Sequence, residues 1–144
     1  MKLQKQLNRH FPERGIWGDC LRTAIACVLD LDPVDVPHFN DRSDGRTDED
    51  VGRLLNDWLR GRGLAIITVS FNGETSLDDV LTAAGFGSMG LPYLLSGFSR
   101  TGCNHVVVCQ GYEIIWDPSL TDSGIVGPMN NGFWMVEWLV RPPV

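Results

Sequence analysis

The stretch Asn104–Pro118, NHVVVCQGYEIIWDP, decides the fold. Two runs rich in β-branched residues flank Gln110-Gly111-Tyr112, the pattern of an antiparallel hairpin. Directly opposed residues of such a pair share a face of the sheet, with Cβ atoms about 5 Å apart. A turn centred on Gly111 sets His105 opposite Asp117, each six residues from the centre, with Val107 and Ile115 further along the same face. The pairing depends on register, because a slip of one residue carries a side chain to the other face.

Outward from the hairpin, LPYLLSG (91–97), FWMVEWLV (133–140) and LAIITVSF (64–71) read as further strands. Helices come earlier. Asp19 is a predicted N-cap, and Leu21, Ile25, Val28 and Leu29 follow at helical spacing. The other side of this helix carries Thr23, Ala24, Ala26 and Cys27, so it is expected to be central and mostly buried, ending before Pro33. The polar segment Asn40–Asp50 reads as a surface loop. Thr47 and Asp50 then form a capping-box pattern ahead of the stripe Val51, Leu54, Leu55, Trp58 and Leu59, which ends at Gly61 or Gly63. Ser76 with Asp79 starts a third helix. Early helices and late strands predict one α+β domain over residues 1–144, its N-terminal buried helix packed against an antiparallel sheet.

Composition narrows the function. At 144 residues and 43% hydrophobic content the chain has material for a single real core. The net charge is -6 and the arginines are dispersed among acids, which argues against nucleic acid or an anionic membrane as the main partner. No window approaches the roughly 18 apolar residues of a membrane span, and the basic N-terminus lacks the apolar core of a signal peptide, so a cytoplasmic protein is expected. The four cysteines are then expected to be free thiols. They form no C-x2-C knuckle, and neither a metal nor a cofactor is predicted. Gly85–Gly90, GFGSMG, matches G-x-G-x-x-G but follows a helix and runs into Leu91-Pro92. It reads as a flexible glycine loop bordering the active site, not as a dinucleotide fingerprint.

A carboxylate beside a histidine fixes its tautomer and stabilises the imidazolium, and the element then missing is a nucleophile. Cys20 fills that place. At the first turn of a helix a thiolate is stabilised by free backbone N–H groups, and an adjacent imidazolium favours it further. Asp19 opposes this as a nearby negative charge unless its side chain is occupied in capping. The competing reading of Cys20 is a small core residue, and of Asp117 a turn initiator before Pro118. Cys27 lies two turns into the helix, where packing is its expected task; Cys103 and Cys109 read as bystanders, and His10 and His38 receive no catalytic role. Trp17 and Trp116, adjacent to the proposed site, are expected to wall a cleft.

Gly18-Asp19-Cys20 leading a buried helix, His105 opening a strand and Asp117 ending the next resemble a papain-like cysteine peptidase. Within that superfamily the chain is similar to small bacterial and phage proteins with the pattern G-[DN]-C-x-x-[AT]-x-A-[CS]-x-L, then VP-[HNY]-F, then H-x-V-V and D-P. Here these read GDCLRTAIACVL, VPHF, HVVV and WDPS. The resemblance implies a Cys20 thiolate, His105 as general base and acid, and an orienting Asp117. It also implies an upstream side-chain amide that joins the Cys20 backbone N–H as an oxyanion hole. Six residues before Cys20, where the commonest pattern has Gln, this chain has Arg14; Gln6 is the preferred candidate, with Gln4, Asn8 and His10 as alternatives. The expected activity is a cysteine hydrolase (peptidase, isopeptidase or amidase) acting on a peptide, protein or small amide. The same triad would also serve an acyltransferase, transglutaminase-like or deamidase reaction, and the fold without the chemistry would give a binding protein that inhibits a host factor.

Overall fold

The structure, a computed structural model, describes residues 1–143. Three helices, α1 (Cys20–Leu29), α2 (Asp48–Gly61) and α3 (Leu77–Ser88), accompany five strands: β1 (Ala65–Asn72), β2 (Tyr93–Phe98), β3 (Asn104–Gln110), β4 (Glu113–Trp116) and β5 (Phe133–Val140). All strand pairs are antiparallel, in the order β1-β5-β2-β3-β4, so the domain is α+β. No helix among the described residues is long and apolar enough to cross a membrane.

The sheet is covered on both faces. One core joins Ala24, Ile25, Ala26 and Cys27 of α1 and Leu55 and Leu59 of α2 to Leu94, Val106 and Val108 of the sheet. The other joins Val80, Leu81 and Ala84 of α3 to Leu95, Val107, Cys109 and Val136. Successive strand residues thus serve opposite cores, which the period of two requires. The central helix α1 is short because Asp30 adopts a left-handed conformation (φ 58°) and takes the carbonyls of Ala26 and Cys27. At α2, Thr47 and Asp50 form the reciprocal capping box that their spacing predicts.

Two expectations are corrected here. The glycine segment 85–90 is not a loop: α3 continues through Ser88, whose hydroxyl donates to the Ala84 carbonyl and accepts from Trp138 Nε1. Gly85 is glycine because a Cβ there would stand 2.4 Å from the Gly111 carbonyl oxygen, so the residue permits close packing of α3 on the β3–β4 hairpin. The segment takes no part in the cleft described below.

The second correction is the hairpin register. Gln110 pairs with Glu113 and Cys109 with Ile114, which places the turn at Gly111-Tyr112, Gly111 having φ 61°. A bulge follows, and Val108 pairs with Trp116. Val107 therefore faces the α3 core while Ile115 packs with Trp116 against the α1 core, and the two do not share a face. The turn displaces the predicted register by one residue and the bulge by one more, so Asp117 returns to the face of His105 on a diagonal, level with Val107.

Candidate active site

Cys20 is the first residue of α1 and is partly exposed. Asp19 precedes it but makes no side-chain cap. Its carboxylate, fully buried, accepts the backbone N–H groups of Leu7 (3.1 Å) and Asn8 (2.8 Å) and the Arg22 Nε–H (2.9 Å). The predicted cap is overturned because an irregular upstream segment supplies donors that compete better than the helix start. The consequence for Cys20 is favourable. The Asp19 charge is held by its own donors, and the first-turn N–H groups are not taken up by a capping anion.

His105 opens β3 and is buried, with Nε2 bonded to Asp117 Oδ1 at 2.6 Å. Asp117 also accepts Ser119 N–H on Oδ1 (2.9 Å) and Gly124 N–H on Oδ2 (2.8 Å). Burial by itself would raise the Asp117 pKa, but His105 and these two backbone donors overcome it and hold the carboxyl far below the usual carboxylate range. For His105 burial favours the neutral ring, yet hydrogen bonding to Asp117 and to Cys20 outweighs it and pushes the pKa up to about 10. With Nε2 given to Asp117, Nδ1 is the ring nitrogen left for the Cys20 sulfur.

A cleft of about 700 Å³ contains Cys20 and His105, with Trp17 among its walls. Gln6, preferred on the sequence, also lines it. The Gln6 Nε2 donates to the Asn8 carbonyl (2.5 Å), and its backbone N–H donates to the Pro118 carbonyl (2.8 Å). The amide lies against Gly18, where a Cβ would stand 3.4 Å from Nε2 and 3.0 Å from His10 Cβ. Glycine at position 18 therefore lets the amide approach the cysteine turn. The alternative Gln4 is occupied elsewhere, donating to the Leu31 carbonyl at 2.6 Å. His10 lines the cleft too, but its Nδ1 accepts the Gly18 N–H (3.1 Å), a structural bond.

The remaining candidates separate cleanly. Trp116, expected in the cleft wall, instead packs against the α1 core and donates Nε1 to the Gln4 carbonyl (2.7 Å), with Lys5 Nζ above its ring. Cys27 and Cys109 are fully buried; burial raises both thiol pKa values, that of Cys109 up to about 12. Cys103, read as a bystander, does border the cleft and contacts the Ser99 and Thr101 hydroxyls. His38 sits apart, bonded to the Trp17 carbonyl. Sequence reasoning missed the N–H donors that hold Asp117. Asp117-Pro118-Ser119 is an Asx-turn pattern and could have shown Ser119, whereas nothing local points to Gly124. It also missed the Asn104–Asn130 amide pair on the cleft wall.

Comparison with protein families, with curated proteins and with solved structures finds no match to this chain.

Proposed function

We propose that the protein is a cysteine hydrolase of papain-like architecture that cleaves an amide or isopeptide bond through a thioester on Cys20. The observation that carries this reading is the buried His105, hydrogen-bonded to a partly buried Asp117 and sharing one cleft with a cysteine at the start of α1. In this reading the Cys20 thiolate adds to the carbonyl carbon, and the negative oxygen is received by the Cys20 backbone N–H and the second Nε2 hydrogen of Gln6. His105 gives its Nδ1 proton to the leaving nitrogen as the C–N bond breaks. It then takes a proton from water, whose oxygen attacks the thioester; the C–S bond breaks, and acid product, thiolate and imidazolium are restored.

Asp117 keeps the ring oriented and supports its charge throughout. The cleft lining, with Asn40, Arg42, Asn104 and Asn130, favours a polar substrate such as a peptide, a protein tail or a small amide. The chemistry requires no metal or cofactor, and a free thiol suits reducing, cytoplasmic surroundings.

Iodoacetamide labelling at mildly acidic pH, read by mass spectrometry, tests the proposal. Cys20 is expected to react ahead of Cys103 and Cys27, with the preference lost in His105→Ala. Equal labelling of Cys20 and Cys103, unchanged by H105A, would leave a non-catalytic binding protein.

A further inference from the structure

Residues 6–18 make an irregular excursion that contains one 3-10 turn, Pro12–Arg14, and the chain returns at Asp19, directly before the proposed nucleophile. Within the excursion Phe11 bridges to Ile16, and Gly18 N–H donates to His10 Nδ1. Its base is closed by a carboxylate. Asp19 is only 1% exposed; Oδ2 accepts Leu7 N–H and Arg22 Nε–H, and Oδ1 accepts Asn8 N–H, where an aspartate before a helix ordinarily caps it. A buried ion pair adds little net stability over an apolar replacement, so the Asp19–Arg22 pair is better explained by the conformation it selects. The two backbone donors it selects belong to the residues immediately after Gln6.

We infer, on the hydrolase reading, that Asp19 is a positioning residue for the oxyanion hole: its carboxylate fixes the Leu7–Asn8 backbone, and that backbone aims the Gln6 amide at the carbonyl attacked by Cys20. The chain of contacts is short. Asp19 Oδ1 accepts Asn8 N–H (2.8 Å), the Asn8 carbonyl accepts Gln6 Nε2 (2.5 Å), and Nε2 lies 3.4 Å from where a Cβ at Gly18 would stand. The Asn8 carbonyl decides which end of the amide faces the cysteine turn, because only Nε2 can donate to it. Gln6 N–H, donated to the Pro118 carbonyl, ties the backbone of the same residue to the chain just past Asp117. Gln6 thus takes its place from the neighbour of Asp117 and its side-chain direction from the neighbour of Cys20. An ionised carboxylate suits this task, since its bonds are charge-assisted and its two oxygens serve three donors at once. An amide at position 19 would offer one oxygen, and its NH2 would face a donor.

Two reagents that share the thiolate but not the transition state test this. With p-nitrophenyl acetate the Cys20 sulfur adds to the carbonyl carbon, an oxyanion forms, and p-nitrophenolate leaves with the electrons of the C–O bond. Iodoacetamide alkylates the same sulfur by loss of iodide, with no oxyanion. The ratio of acylation to alkylation rates at Cys20, followed by mass spectrometry at one pH, therefore cancels the thiolate fraction and reports the hole. Gln6→Ala is expected to lower the ratio about 10- to 100-fold and Asp19→Ala by a comparable factor. Asp19→Asn, which keeps one acceptor oxygen, should fall between D19A and wild type, and it carries the test if circular dichroism shows D19A unfolded. In the Q6A background neither Asp19 substitution should lower the ratio further, because a residue acting through Gln6 then has nothing to position. A ratio unchanged in Q6A or in the folded Asp19 variant, or a loss that multiplies with that of Q6A, overturns the proposal while His105-dependent labelling of Cys20 still stands. If His105→Ala leaves both rates at Cys20 unchanged, the hydrolase reading falls and the role of Asp19 with it.

Discussion

Asp117 receives three hydrogen bonds at once, from the His105 ring, Ser119 N–H and Gly124 N–H, and this explains both its depressed pKa and the raised one of its partner. Because the folded pKa of His105 lies above its unfolded value near 6.5, the imidazolium contributes stability below that value and loses it as pH rises through about 10. Asp117→Asn is therefore expected to bring the His105 midpoint, followed by NMR, well below about 10. If the proposed chemistry holds, turnover in the same variant falls by about 10²- to 10⁴-fold. The residue types of the site were legible in the sequence because their chemistry is local to each side chain. The task of Asp19 was not. An aspartate before a helix normally caps it, and the donors that draw this one away, Leu7 and Asn8, sit in an irregular segment with no periodic signal.

At the scale of elements, all three helices and all five strands could be read from periodicity and capping patterns, while register and one helix end could not. The bulge beside Cys109 is invisible to counting, because both Ile114 and Ile115 are suitable strand residues and either could have been the one paired. The run GFGSMG reads as a loop because it follows a helix and leads into Leu91-Pro92, whereas α3 takes in its first four residues. Its two glycines are in fact unlike. A methyl group at Gly85 would meet hairpin backbone at 2.4 Å, whereas one at Gly87 meets nothing within 4 Å. Gly85→Ala is expected to lower stability by about 1–3 kcal/mol, and Gly87→Ala to raise it by about 0.5–1 kcal/mol. Urea denaturation of the two variants should show midpoints displaced in opposite directions.

On the scale of the molecule, a sheet with a core on each face holds an acid within it: Glu137 of β5 is buried beside Leu94 and takes one hydrogen bond, from Thr68 Oγ1 at 3.1 Å. Burial raises its pKa, and the Thr68 bond opposes this only in part. A raised carboxyl pKa means stability that is present below the unfolded value near 4.3 and lost as pH rises through the folded one. Glu137→Gln should accordingly melt at a higher temperature than wild type at pH 7, with the difference vanishing near pH 4; equal melting curves at pH 7 would count against a costly buried charge. A different consequence follows from the bonds that lay the Gln4–Gln6 segment along β4 and the residues after it. Trp116 to Gln4 and Lys5 to the Asp117 carbonyl each span 112 residues. Contacts of such separation close against a large loop entropy, which slows folding. Synthesis runs in the opposite sense, delivering Cys20 long before His105 and Asp117. During translation the thiol is an isolated side chain without its base, and it acquires that company only when the two distant stretches of chain have been tied together.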